Sequence, residues 1–164
     1  MLRFFIMIWL KYLYPAWNIT PAWVESWFYD KRRGKDIFEL LRGLAPDIGQ
    51  MSNLMRARNF AWTSDPLGGV LDFRSFAWVT CVRGKGDCDD WSVLWYRLLR
   101  HHGKVEKVYT KKKGGGGHAM TLFTRDGMCY LMSNLRVKAK TSEYEKDKLL
   151  TAFFGDDTDF SILY

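Results

Sequence analysis

The stretch Gly84-Lys-Gly-Asp-Cys-Asp-Asp-Trp91 places a cysteine where a glycine-rich turn meets the start of a predicted helix. Apolar side chains then recur at spacings of three and four until Gly103 ends the pattern, so we predict an amphipathic helix over 87–102. The first turn of a helix offers unpaired backbone N–H groups and a partial positive charge. Both favour the thiolate of Cys88, which is the nucleophilic form of the side chain.

The acidic neighbours of this cysteine act in the opposite direction. Asp89 and Asp90 repel a second negative charge, so a thiolate at neutral pH needs a nearby cation, and histidine is the usual source. His118 is the candidate because it begins a predicted strand directly after Gly114–Gly117, where glycines let another backbone approach closely. The other two histidines lie at the end of the predicted helix, where positive charge is favourable, and are interpreted as structural.

The group that orients the imidazole depends on a predicted hairpin. Strands 118–124 and 128–132 flank Asp126-Gly127, a dipeptide typical of two-residue hairpin turns. With that turn, Ser133 lies on the same face as the histidine, diagonally across the strands. A three-residue loop would place Asn134 opposite the histidine instead. Either side chain can hydrogen-bond an imidazole, so both remain candidates.

The order of the predicted elements decides the fold class. A helix, a strand over 105–110, a lysine- and glycine-rich loop and a hairpin together predict an α+β fold with an antiparallel sheet. The length of 164 residues fits one domain, and 48% hydrophobic with 26% charged residues excludes a disordered chain. Three cysteines leave at least one thiol unpaired, which is typical of a reducing compartment or a working thiol.

Three blocks of the sequence carry a family resemblance. Gly86-Asp-Cys-Asp-Asp-Trp-Ser92, then His118-Ala119, then Tyr130-Leu-Met-Ser-Asn-Leu135 resemble the transglutaminase-like superfamily, and most closely its bacterial cysteine peptidases. Phe60-Ala-Trp-Thr-Ser-Asp65 and the segment up to Val82 are similar to that family's lead-in. The resemblance implies a papain-like or transglutaminase-like α+β fold, with the catalytic cysteine at a helix N-terminus packed on a small antiparallel sheet.

The resemblance also implies boundaries within a single domain. It covers about residues 50–137, so we expect a transglutaminase-like core over 51–137. Residues 1–50 are expected to form a helical segment that packs on or docks to this core. Residues 138–164 are expected to form a C-terminal extension.

The resemblance assigns roles to four residues. Cys88 would be the nucleophile and His118 the base, while the position of the family's orienting aspartate carries Ser133. Asn134 would take over only if the hairpin is bulged. The implied activity is that of a cysteine peptidase or amidase. The alternative is a catalytically degenerate domain used for binding or assembly, as the loss of the aspartate and the 16% aromatic content would suit.

A metal site is the remaining chemical question. In this family, carboxylates such as Asp87, Asp89 and Asp90 can help bind calcium, and clustered hard oxygens suit that ion. The alternative role of these residues is helix capping and complementation of the helix dipole. No other cofactor is expected. Zinc is not favoured, because the short ligand spacing of common structural sites is missing from the set Cys81, Cys88, His118 and Cys129.

Charge and the N-terminus bear on partners and location. The net charge of +7 permits anionic partners, but no clustered nucleic-acid motif is present, so we expect a protein or peptide substrate or an assembly partner. The apolar run 1–10 is too short to span a bilayer and no signal-peptide cleavage site follows it, while contact with a membrane surface stays open. We expect a cytoplasmic or virion-associated protein.

Overall fold

The computed structural model describes residues 19–20, 26, 29–64, 72–73, 75–112, 117–154 and 158–163. They form a mixed α+β fold, which confirms the predicted class. The helices are α1 (Lys31–Leu44), α2 (Ile48–Ala57), α3 (Ala77–Arg83), α4 (Cys88–Leu99) and α5 (Lys146–Phe154), with a short 3-10 turn over Glu143–Glu145. The strands are β1 (Ile19–Thr20), β2 (Ala61–Trp62), β3 (Asp72–Phe73), β4 (Lys85–Gly86), β5 (Lys104–Lys112), β6 (Gly117–Arg125), β7 (Met128–Ser133), β8 (Arg136–Ser142) and β9 (Thr158–Leu163).

The main sheet has five antiparallel strands in the order β8-β7-β6-β5-β9. The last part of the chain supplies both edges, since β8 pairs with β7 and β9 pairs with β5. Two short parallel ladders, β1 with β3 and β2 with β4, lie outside this sheet. The second ladder leads directly into α4, because β4 ends at Gly86.

The β6–β7 hairpin has the predicted two-residue turn. Arg125 pairs with Met128, and the turn residues Asp126 and Gly127 have φ angles of 51° and 71°. Two consecutive positive φ angles match the twist of a hairpin, which is why this dipeptide is favoured there. The β6–β7 ladder has a regular register, whereas the β7–β8 ladder has a bulge between Leu131 and Met132.

Helix α4 forms the centre of the core. Its predicted apolar stripe is confirmed, because Trp91, Trp95, Leu98 and Leu99 are all buried against Phe123 of β6 and other core residues. A second cluster includes Leu150 of α5 and residues of β5, β6 and β7. Since side chains alternate along a strand, the sheet contributes to both clusters.

Gly34 lies inside a helix despite the low helix propensity of glycine. Gly34 is buried inside α1, whose first turn is capped by Asp30, which accepts a hydrogen bond from the N–H of Arg33 at 3.1 Å. A Cβ at position 34 would lie 2.4 Å from the carbonyl oxygen of Trp78. The glycine is therefore required by the close approach of α1 and α3, and this packing outweighs its helix-propensity cost of about 1 kcal/mol.

Several sequence predictions fall on residues outside the described ones. They concern the apolar run 1–10, the end of the lead-in block at residue 65, and most of the glycine run before His118. Within the described ranges, no helix combines the length and apolar character that crossing a membrane requires.

Candidate functional site

Cys88 is the first residue of α4 and is half-buried. Asp87 caps the helix, because its Oδ1 accepts hydrogen bonds from the N–H groups of Asp89 at 3.2 Å and Asp90 at 3.3 Å. The preceding helix, α3, ends at Gly84 with a φ of 65°, and β4 then delivers the chain to the cap. The glycine-rich turn thus places the thiol at a capped helix N-terminus.

A buried ion pair stabilises this turn on the side that faces the core. Asp90 is fully buried, and its Oδ2 pairs with the guanidinium of Arg83 while its Oδ1 accepts from the N–H of Ser75 at 3.0 Å. A Cβ at position 86 would lie 2.8 Å from the Cβ of Asp90, so Gly86 is required here. Burial raises the pKa of Asp90, and the Arg83 charge only partly offsets this effect. The role of Asp90 is therefore structural support for the turn.

His118 and Ser133 are in direct contact. The Nε2 atom of His118 lies 2.8 Å from Oγ of Ser133, and Ser133 is buried. This contact follows from the regular register of the β6–β7 hairpin, which puts both residues on one face. Of the two candidates that the sequence left open, Ser133 is thus the one that reaches the imidazole.

Asn134 has a different position. It lies in the turn between β7 and β8 with a φ of 51°, and its carbonyl oxygen accepts a hydrogen bond from Nε1 of Trp95 at 2.6 Å. The next carbonyl, of Leu135, accepts from Oγ of Ser52 at 2.7 Å. The Oδ1 atom of Asn134 is buried and meets no hydrogen-bond donor in the described part of the chain. The turn is therefore fastened to α4 and α2, which fixes the end of β7 beside the histidine.

The thiol of Cys88 reaches the strand that carries His118. The backbone N–H groups of Ala119 and of Cys88 itself lie close enough to the thiol to lower its pKa. The β6–β7 ladder ends at the pair Thr121–Met132, so Ala119 lies outside it. The N-terminus of α4 therefore contacts the part of β6 that is not paired with β7. Because Ala119 directly follows His118 in β6, the thiol lies beside the strand position next to the imidazole.

The helix N-terminus alone does not produce a thiolate. Burial raises the pKa of Cys88, the charges of Asp87 and Asp89 raise it further, and the N–H groups of Ala119 and Cys88 lower it only in part. Asp90 was expected to add to this repulsion, but its charge is paired with Arg83 instead. An imidazolium is therefore needed to hold the thiolate at neutral pH.

The other two cysteines have no such environment. Cys81 is buried in α3, where burial raises its pKa to about 12. Cys129 is buried in β7, and burial likewise raises its pKa. Both are free thiols, as is Cys88. They behave as apolar core residues and serve as internal references for the reactivity of Cys88.

The acidic residues around the cysteine do not fit calcium. Asp87, Cys88 and Asp89 each place one potential ligand atom within 4.8 Å of the others. Asp90 is not part of this group, because its carboxylate forms an ion pair with Arg83. Calcium takes six to eight oxygen ligands, while a thiolate is a soft ligand, so two carboxylates and a sulfur are a poor set. One of the carboxylates, Asp87, is also the helix cap. The capping role fits these residues better.

Three contributions to the site are invisible in the sequence pattern. They are the N–H of Ala119, the support of Asp90 by Arg83, and the anchoring of the Asn134 turn by Trp95. Each joins residues from different elements, so only the tertiary structure brings them together. An exposed aromatic residue, Trp62, is also adjacent, since it pairs with Gly86 in the β2–β4 ladder and is 56% exposed.

Comparison with known proteins gives no relative from which a function could be transferred. Neither the protein-family models nor the curated proteins match this sequence.

Proposed function

We propose that the protein is a thiol-dependent acyl-transfer enzyme, a cysteine peptidase or amidase with a papain-like, transglutaminase-like fold. The observation that carries the proposal is the 2.8 Å contact between His118 and Ser133, on the strand whose next residue, Ala119, has its N–H beside the Cys88 thiol. A nucleophile on α4, a base on β6 and a group at the end of β7 that orients the base are thereby brought together. This is the arrangement that nucleophilic catalysis by cysteine requires.

The proposed mechanism uses the tautomer of His118 in which Nε2 carries the proton. When Nε2–H donates to Ser133 Oγ, the other ring nitrogen, Nδ1, is the one able to take the proton of the Cys88 thiol. Catalytic hydrogen bonds tighten in the enzyme–substrate complex, so we expect the imidazole to approach the Cys88 thiol when substrate binds.

The reaction proceeds in two steps. The sulfur of Cys88 attacks the carbonyl carbon of an amide, its proton goes to Nδ1 of His118, and the carbonyl oxygen becomes an oxyanion that the N–H of Cys88 can stabilise. The C–N bond then breaks, and the leaving amine takes the proton from Nδ1. Water next gives a proton to Nδ1 and attacks the thioester, the C–S bond breaks, and the acid product leaves with the thiol restored.

The substrate class proposed is a protein or peptide. An exposed aromatic side chain, Trp62, lies next to the site, because it is paired with Gly86 in the β2–β4 ladder. Aromatic residues with an exposed face supply much of the contact energy for peptide side chains. We expect hydrolysis to dominate over transfer to amines, because the sequence pattern is most similar to that of peptidases.

A second function is favoured by one specific observation. Ser133 supplies no negative charge, and the surroundings of Cys88 raise its pKa. Both features suit a domain that has kept the fold but lost catalytic activity, and that acts as a binding or assembly module. Cys88→Ala separates the two functions, because it abolishes hydrolysis of an unfolded fluorescent protein substrate but leaves capture of a binding partner intact.

The test is the rate of iodoacetamide modification at each cysteine as a function of pH, measured by peptide mapping. We expect Cys88 to react with an apparent pKa below the ordinary thiol value of about 8.5. His118→Ala should move that pKa above the ordinary value, since burial and the two aspartates raise it and the N–H groups of Ala119 and Cys88 offset them only in part. Cys81 and Cys129 should stay unreactive in both proteins.

The matched control is His101→Ala, which removes an exposed histidine at the far end of α4. It should leave the reactivity of Cys88 unchanged. A Cys88 that reacts slowly, with an ordinary or raised pKa that His118→Ala does not alter, would contradict the catalytic proposal.

A further inference from the structure

A second cleft lies at the opposite end of α4 from the cysteine. It has a volume of about 370 Å³ and is formed by α1, the start of α3 and the end of α4. Arg97 lies nine residues after Cys88 on this helix, which corresponds to about 14 Å along the axis at a rise of 1.5 Å per residue. The cleft is therefore separate from the candidate active site, and its size falls in the range of small-molecule sites.

The walls of this cleft are cationic. Lys35, Arg42, Arg97 and Arg100 line it together with a single carboxylate, Glu39. Arg42 pairs with Glu39 at 2.5 Å, whereas the other three cations form no ion pair with any residue that the structure describes. All of them are exposed, so the cleft presents an excess of positive charge to solvent. Such a surface favours an anionic ligand, and two arginines favour phosphate in particular.

The floor of the cleft is aromatic. The rings of Phe76 and Trp78 stack with centroids 6.4 Å apart and an interplanar angle of 11°, and Phe76 is 42% exposed. Phe38 of α1 completes this floor. The close approach of Gly34 to the Trp78 carbonyl brings the two elements together, and Phe38 follows Gly34 by one helical turn. An exposed flat ring beside arginines is the arrangement on which bases stack in nucleic-acid-binding proteins.

We propose that this cleft binds a nucleoside phosphate, with the base stacked on Phe76 and the phosphates held by Arg97, Arg100 and Lys35. The same chemistry is offered by a free nucleotide and by a unit of single-stranded nucleic acid. A purely acidic peptide such as tetraglutamate would satisfy the cations but has no flat apolar group to place on the aromatic floor. The ligand class is thus set by the combination of charge and a flat apolar surface, and it is independent of the Cys88 chemistry.

The test is isothermal titration of the full chain with ADP at low salt. We expect saturable binding at one site, weakened at least tenfold by Arg97→Gln combined with Arg100→Gln. Phe76→Leu should also weaken it severalfold, because stacking is lost, while Phe76→Tyr should retain it. The matched control, Lys138→Gln with Lys148→Gln, removes the same charge from exposed positions outside the cleft and should leave the affinity unchanged.

The source of the ligand is resolved by two further titrations. Tighter binding of a short oligothymidylate than of ADP identifies a single strand, and the reverse order identifies a free nucleotide. Equal affinity for ADP, pyrophosphate and a tetraglutamate peptide would overturn the proposal, because the aromatic floor would then contribute nothing. The proposal would also be overturned if the protein did not bind ADP at millimolar concentration. The same holds if the control variant lost as much affinity for ADP as the arginine variant. Far-UV circular dichroism establishes that each variant is folded.

Discussion

Ser133 Oγ lies 2.8 Å from Nε2 of His118, and the two residues meet because the Asp126-Gly127 turn holds β6 and β7 in a regular register. A hydroxyl can orient the imidazole by accepting its N–H, but it adds no negative charge. The tendency of His118 to hold a proton therefore depends on the side chain at position 133. In the proposed enzyme, this position tunes the thiolate of Cys88.

Ser133→Asp is expected to increase the reactivity of Cys88. A carboxylate beside Nε2 stabilises the imidazolium, which in turn stabilises the thiolate, and an opposite charge at this distance shifts a pKa by about 1 unit or more. The apparent pKa of Cys88 should fall accordingly, which raises the thiolate fraction at neutral pH about tenfold. Iodoacetamide modification rates across pH measure this directly. Ser133→Ala should have the opposite effect, and equal rates in all three proteins would refute the tuning role.

Asp89→Asn should also lower the pKa of Cys88. Burial is the main reason that this pKa is raised, but the charge of Asp89 adds to it and the substitution removes that charge. We expect faster alkylation at neutral pH and a small loss of stability, about 0.5 kcal/mol, because the acidic first turn of α4 complements the helix dipole. Asp126→Asn, in the exposed hairpin turn, is the control. No change in the alkylation profile would show that Asp89 is screened from the thiol.

Two glycines of α1 should respond to alanine with opposite signs. At position 34 a Cβ would lie 2.4 Å from the Trp78 carbonyl oxygen, so Gly34→Ala forces α1 and α3 apart and should cost about 2 kcal/mol. At position 43 nothing lies within 4 Å, so Gly43→Ala should stabilise the protein by up to about 1 kcal/mol through helix propensity. Urea unfolding measures both. A Gly34→Ala protein that is as stable as the wild type, or more stable, would contradict the close helix contact.

The elements that the sequence predicted well are those in which local and tertiary preferences agree. The α4 stripe and the Asp126-Gly127 turn have strong local signals, and their burial and register follow from them. The role of Gly34 could not be predicted from the sequence, because it is a contact with Trp78, which is far along the chain. Local propensity favours a break there, and the packing of α1 on α3 overrides it.

The candidate site was predictable only in part. Spacing was sufficient to put Ser133 on the face of His118, because strand alternation is a local rule. It was not sufficient to exclude Asn134, whose carbonyl is held by Trp95 of another element. The electrostatic environment of Cys88 could not be predicted from the sequence either. Asp90 is paired with Arg83, and the effect of burial on the pKa of Cys88 exceeds that of the helix N-terminus.

Glu106→Gln should destabilise the fold in a pH-dependent way. Glu106 is 1% exposed, and although burial alone would raise its pKa, hydrogen bonds from Lys146 and Lys104 hold that pKa below its ordinary value of 4.5. Breaking this buried pair between β5 and α5 should cost about 3 kcal/mol at neutral pH. A lowered pKa means that the stabilisation is present above the ordinary value and is lost as the pH falls through the folded-state pKa.

The difference in unfolding free energy between the wild type and Glu106→Gln should therefore narrow as the pH falls below about 4, measured by urea unfolding at a series of pH values. Glu143→Gln, at an exposed position in the 3-10 turn before α5, removes the same charge and should change stability by less than about 0.5 kcal/mol at every pH. A difference that stays constant with pH would mean that Glu106 contributes through packing alone. The carboxylate would then have no part in fastening α5 to the sheet.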